Sequence, residues 1–173
     1  MQYVDVAGRA LLITVFVLAL VSKVSSRGAW SAFVRSTRAM AVIPDKLAPP
    51  AAAATAAAEA GVIVLAAVPV RWTGSAAFVL ATGLLGCLTV AVVLVVGRGA
   101  AVPCRCFGAT ETPMGAPHVI RNLILLATAL LGLAGSLVSG SFDPAFTVVV
   151  GLFGAVLGLL MARWDDLASL LRP

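Results

Sequence analysis

Cys104 and Cys106 stand one residue apart in the run V-P-C-R-C-F-G-A-T-E-T-P-M-G-A-P-H, the one long polar loop after residue 50 of a very apolar chain. A disulfide across one intervening residue closes a small, strained ring, and strain makes such a bond easy to reduce. Structural bridges more commonly join distant segments, where they constrain the unfolded chain most. Arg105 lies between the two thiols and favours the thiolate, which is the nucleophilic form. Pro103 and Gly108 suit a stiff, tight turn. The spacing points to an exchangeable thiol pair. It also admits a pair of thiolates holding a soft ion such as Cu(I), or a chain with dispensable cysteines that acts as a non-catalytic assembly factor. A closed zinc site needs about four ligands, and His118 is the single histidine. No zinc site is therefore expected.

Three other polar residues need an account. Glu59 falls midway through an apolar stretch, where a lone carboxylate must be paired or protonated. Lys23 and Arg121 are its candidate partners, in a role that is either a packing ion pair or proton and redox handling. Lys23 and Arg9 flank the first apolar stretch, and both are expected to snorkel to the interface. His118 follows Pro117 and is expected at headgroup level, although it could act as a base toward a thiol. Cys87 sits inside an apolar run and is expected to pack as a small hydrophobe.

The elements that must hold these residues follow from composition. The 173 residues are 61% hydrophobic and 11% charged, with a mean hydropathy of +1.09. Soluble domains carry about 25% charged residues, so the solvent of this chain is lipid. A spanning helix needs about 20 apolar residues. The uncharged stretches predict an all-α integral membrane protein in one transmembrane domain over residues 1–173, with spans at about 6–25, 50–70, 74–97, 118–140 and 145–163. Ala10–Val21 could pass for the apolar core of a signal peptide. Its basic flank is weak, with Arg9 opposed by Asp5, so an uncleaved first helix is expected. Residues 28–50 suit a short interfacial helix, with Trp30 in the aromatic belt and Pro44, Pro49 and Pro50 ending it and starting the next span. Ala51–Ala60 and the glycines at 83, 86, 132, 135, 154 and 158 suggest close helix packing. Gly154 and Gly158 are expected to pack within the chain rather than between copies. The net charge of +5 comes without a basic run interleaved with aromatics, which argues against nucleic-acid binding.

The run C-R-C-F-G (Cys104–Gly108), the polar residues after it and R-N-L (Arg121–Leu123) opening an apolar helix resemble the MauE/DoxX-like membrane proteins. Lys23 closing the first helix and Glu59-x-Gly61 in the second are similar too. The resemblance covers about residues 5–140 and leaves the fifth helix outside. It implies a four-helix bundle plus a fifth C-terminal helix, in the cell membrane. The bundle is also similar to vitamin K epoxide reductase-like enzymes, which carry further cysteines that are absent here. The MauE family is associated with maturing the disulfide-rich small subunit of methylamine dehydrogenase, alongside a thioredoxin-like protein. The resemblance implicates Cys104 and Cys106 as the thiol pair and Phe107 and Gly108 as the turn. Arg121 and Asn122 would be the supporting helix start. Arg105 departs from the small residue usual at its position. The partners implied are a thioredoxin-like protein and a disulfide-containing client, with a membrane quinone as a further electron carrier.

Topology leaves orientation open. One face would carry Lys23, Arg27, Arg35, Arg38, Lys46, Arg98, Arg105, Arg121, Arg163 and Arg172, and the other Arg9 and Arg71. The positive-inside rule puts the richer face in the cytoplasm. Oxidation of exported proteins would need the cysteines outside.

Overall fold

The computed structural model describes residues 2–99, 115–138 and 143–164. The C-x-C run, with Cys104, Arg105, Cys106, Phe107 and Gly108, lies outside the described residues. Among those described the chain is all helix: α1 (Gln2–Val24), α2 (Arg27–Ala39), α3 (Ala48–Ala67), α4 (Arg71–Gly97), α5 (Ala116–Ser136) and α6 (Pro144–Ala162). Five of these, all but α2, are long and apolar enough to cross a bilayer. Each lies close to its expected span. The protein is a multi-pass helical membrane protein.

Helices α1, α3, α4 and α5 close a ring in that order, and α6 lies along the outside of α1. The ring buries Leu12, Phe16, Val62, Phe78, Leu85 and Leu125. Small residues decide how closely the helices approach. The Phe78 ring enters the space left by Gly132, where a Cβ would collide with it, and Gly8 faces the same ring. A Cβ at Gly154 would strike the Ala7 carbonyl, and one at Gly158 would lie 2.8 Å from the Leu11 carbonyl. The Gly154/Gly158 pair is thus an intramolecular seam between α6 and α1. Among the described residues Gly83 and Gly86 face open space, without the close packing expected there.

Ser26 starts α2 by accepting the Ala29 N–H at 3.0 Å, which satisfies one of the unpaired donors of the first turn. Pro49 and Pro50 sit in the first turn of α3, where a missing N–H costs nothing. The apolar face expected to dip into lipid packs on the bundle instead. Ala32, Phe33 and Ser36 of α2 are buried, and Met40 and Val42, together with Val119 of α5, pack against Val92 and Val95 of α4. Segment 27–47 therefore lies across the ends of the ring helices. Ala41 takes a left-handed φ of 49° there, and its carbonyl accepts Arg98 Nη1 at 2.9 Å.

At the opposite face two arginines close helix ends. Arg9 pairs with Asp5 at 3.0 Å and donates to the Val68 and Val70 carbonyls at 3.0 and 3.3 Å. Arg71 donates to the Ser136 and Leu137 carbonyls at 3.2 and 2.8 Å. A cation at a helix C-terminus meets the negative end of the macrodipole.

Candidate functional site

The ring core sets the depth of the polar residues. Phe16, Val62, Leu85 and Leu125 share one apolar cluster. One helical turn further toward the α2 face stand Glu59 on α3, Thr89 on α4, and Arg121 and Asn122 on α5, all buried. Lys23 on α1 reaches the same layer from above. Each helix of the ring thus contributes a polar side chain just under α2.

Lys23 does not snorkel. Its side chain is turned inward along α1, with the residue 2% exposed. Nζ donates to Glu59 Oε1 at 2.6 Å and to the Ala19 carbonyl at 3.3 Å. The Phe33 ring of α2 lies 5.1 Å from Nζ, within cation–π range. The cause is the Cα–Cβ direction: helix side chains lean toward the N-terminus. For Lys23 that direction runs from the membrane face back into the bundle, where a carboxylate waits. Of the two partners expected for Glu59, Lys23 forms an ion pair with it. Glu59 Oε2 and Asn122 Oδ1 have no hydrogen-bond partner among the described residues.

His118 also departs from expectation. It is 4% exposed, in the third position of α5, and its Nδ1 accepts the Gly115 N–H at 3.4 Å. Buried in the first turn, it faces the bundle rather than the headgroups. Cys87 is exposed on the outer surface of α4, so its apolar surroundings are lipid and not protein. It lies off the inward stripe Ala81, Leu85, Thr89 and Val92. Among the described residues no group of three or more His, Cys, Asp or Glu comes together as a metal site would require.

Sequence reasoning named Lys23, Glu59, Arg121 and Asn122, and the ring places all of them at one level. It missed Thr89, Phe33 and Ser36. Thr89 was detectable as the polar member of an otherwise apolar stripe at helical spacing. Phe33 left no signal, because an aromatic on an interfacial helix faces lipid as readily as protein.

A ring of lipid-facing helices around a desolvated charge layer, roofed by an amphipathic helix, defines a class of multi-pass helical membrane protein with a polar centre near one surface. Within that class the chain belongs to the MauE family: the family model described as "Methylamine utilisation protein MauE" matches residues 1–135. That span takes in α1 to α4 and nearly all of α5, and leaves α6 outside the match. No curated protein and no solved structure matches the chain.

Proposed function

We propose that this MauE-family protein supports thiol–disulfide exchange, or the maturation of a disulfide-containing partner, through Cys104 and Cys106. The observation that supports the reading is the buried layer of Lys23, Glu59, Arg121 and Asn122. Helix α4 runs past that layer to end at Gly97, and α5 starts at Ala116. The segment carrying the cysteines therefore leaves and re-enters the bundle on the face nearest the layer. Desolvated charges are expensive in a membrane and commonly mark a functional path. Glu59 Oε2, open among the described residues, is an acceptor suited to hold a proton released in thiol exchange.

The exchange balances without an outside reagent when the partner supplies the disulfide. One cysteine thiolate attacks a partner sulfur, a mixed disulfide forms, and a partner thiolate leaves. The second cysteine thiolate attacks the mixed disulfide, closes the Cys104–Cys106 bond and expels the second partner thiolate. Two electrons and two protons pass from chain to partner, and the reverse run uses the same bonds. A thioredoxin-like protein is the partner class that the family suggests. Methylamine metabolism enters through the family description alone.

Single substitutions Cys104→Ser and Cys106→Ser test the reading. One of the two should trap a mixed disulfide with a thiol partner, visible on a non-reducing gel and gone after reduction. If neither traps one, and the double serine variant supports its partner as well as the native chain does, the cysteines are dispensable and the chain is an assembly factor.

A further inference from the structure

Helix α2 carries its basic residues on one side. Arg27, Arg35 and Arg38 are exposed, and at 100° per residue they fall on the face opposite buried Ala32, Phe33 and Ser36. No acidic residue lies on the helix. Arg35 Nη1 donates to Ser31 Oγ at 3.2 Å, and the Arg27 and Arg38 side chains have no partner among the described residues. Lys46 and Arg98 are exposed on the same end of the bundle, where Asp45 is the one exposed acid among the described residues. Nothing in the ring needs these charges. Lys23 and Phe33 are served by the buried side of the helix.

We propose that the Arg27/Arg35/Arg38 face of α2 is the docking surface for an acidic patch on a protein partner. The direction of the face favours a protein over lipid. The inner side of α2 packs on α1 and α3, and Met40 and Val42, which follow it, pack on Val92 and Val95 near the end of α4. The outer side of α2 therefore points away from the bundle end into water, whereas lipid headgroups surround the rim. Arginines spaced along one helix face suit carboxylates, which they bind as planar forks. Opposite charge also steers encounter, which suits brief exchange. The inference rests on the proposed function only in that the docked protein would be the thiol partner.

The test uses the full chain in nanodiscs of neutral phosphatidylcholine, with a short fluorescent poly-glutamate peptide as probe. The native chain should bind the peptide in a salt-sensitive way. The triple variant Arg27→Gln/Arg35→Gln/Arg38→Gln should bind it about tenfold or more weakly. Unchanged binding by the triple variant, or no binding by the native chain, overturns the proposal. Nanodiscs containing phosphatidylglycerol form the second arm. If the anionic lipid abolishes peptide binding by the native chain, the face is a lipid site and the proposal fails. A Cys104→Ser/Cys106→Ser chain should bind the peptide like the native one, so loss of thiol chemistry is distinguishable from loss of docking. Thermal unfolding of the triple variant checks that α2 still folds.

Discussion

Lys23 Nζ meets Glu59 Oε1 at 2.6 Å with each side chain 1% exposed, joining the end of α1 to the middle of α3. A pair so desolvated holds the ring only as a pair. Removing one partner leaves the other charged in a dry interior, at a cost of about 3–5 kcal/mol. Lys23→Met and Glu59→Leu should each lower the thermal midpoint in detergent markedly. The double variant should recover most of the loss, since replacing a buried pair with apolar groups is often neutral. Additive losses in the double variant would contradict the pairing.

Phe78 predicts the second outcome. Its ring fills the centre of the bundle against Gly132. Phe78→Ala should cost about 3–5 kcal/mol through the cavity left behind. Gly132→Val should be strongly destabilising because the ring has nowhere to move. Gly86→Ala, which meets open space, should be neutral or stabilising by up to about 1 kcal/mol. Thermal unfolding of the three variants side by side checks the ranking.

Arg9 predicts the third. Its guanidinium joins Asp5 to two carbonyls at the α3–α4 turn. Arg9→Met should speed amide exchange at the end of α3 and cost about 1–3 kcal/mol. Arg9→Lys should restore little, because a point charge cannot reproduce the fork.

Phe33 predicts the fourth. Its ring lies 5.1 Å from the Lys23 ammonium. Phe33→Leu keeps the apolar contact and removes the ring, at a cost of about 1 kcal/mol. Amide exchange across Arg27–Ala39 should rise while α1 and α3 stay protected. Equal protection in both proteins would show that the ring contact does not hold the helix down.

The spans were legible because charge is excluded from lipid: Arg71 and Arg98 bracket α4 almost to the residue. The prolines at 49 and 50 likewise announced the start of α3. What lipid hides is the inward face. On α3 and α4 the outward residues Val64, Val79 and Val90 are as apolar as the buried Val62, Ala81 and Leu85, so hydrophobic periodicity says little about rotation. Only polar residues mark the interior, which is why Glu59 and Arg121 were found and the exposure of Cys87 was not. Lys23 was placed at the right helix end and given the wrong direction, because the backward lean of its side chain leads to a carboxylate whose facing the sequence does not fix. The buried His118 was hidden for the same reason. The functions of Gly132 and Gly86 are equally indistinct in sequence and opposite in space.

The proposed function rests on the thiol pair, and differential trapping of Cys104 and Cys106 in living cells tests it most directly. On a Cys87→Ala background, free thiols are blocked at once, bridged ones are then reduced and tagged, and intact mass counts the tags. An exchanging pair gives two tags on a fraction of the chains, with that fraction moving when the cell's thiol balance is shifted. Both thiols blocked at the first step under every condition, with no tag ever added, would contradict it.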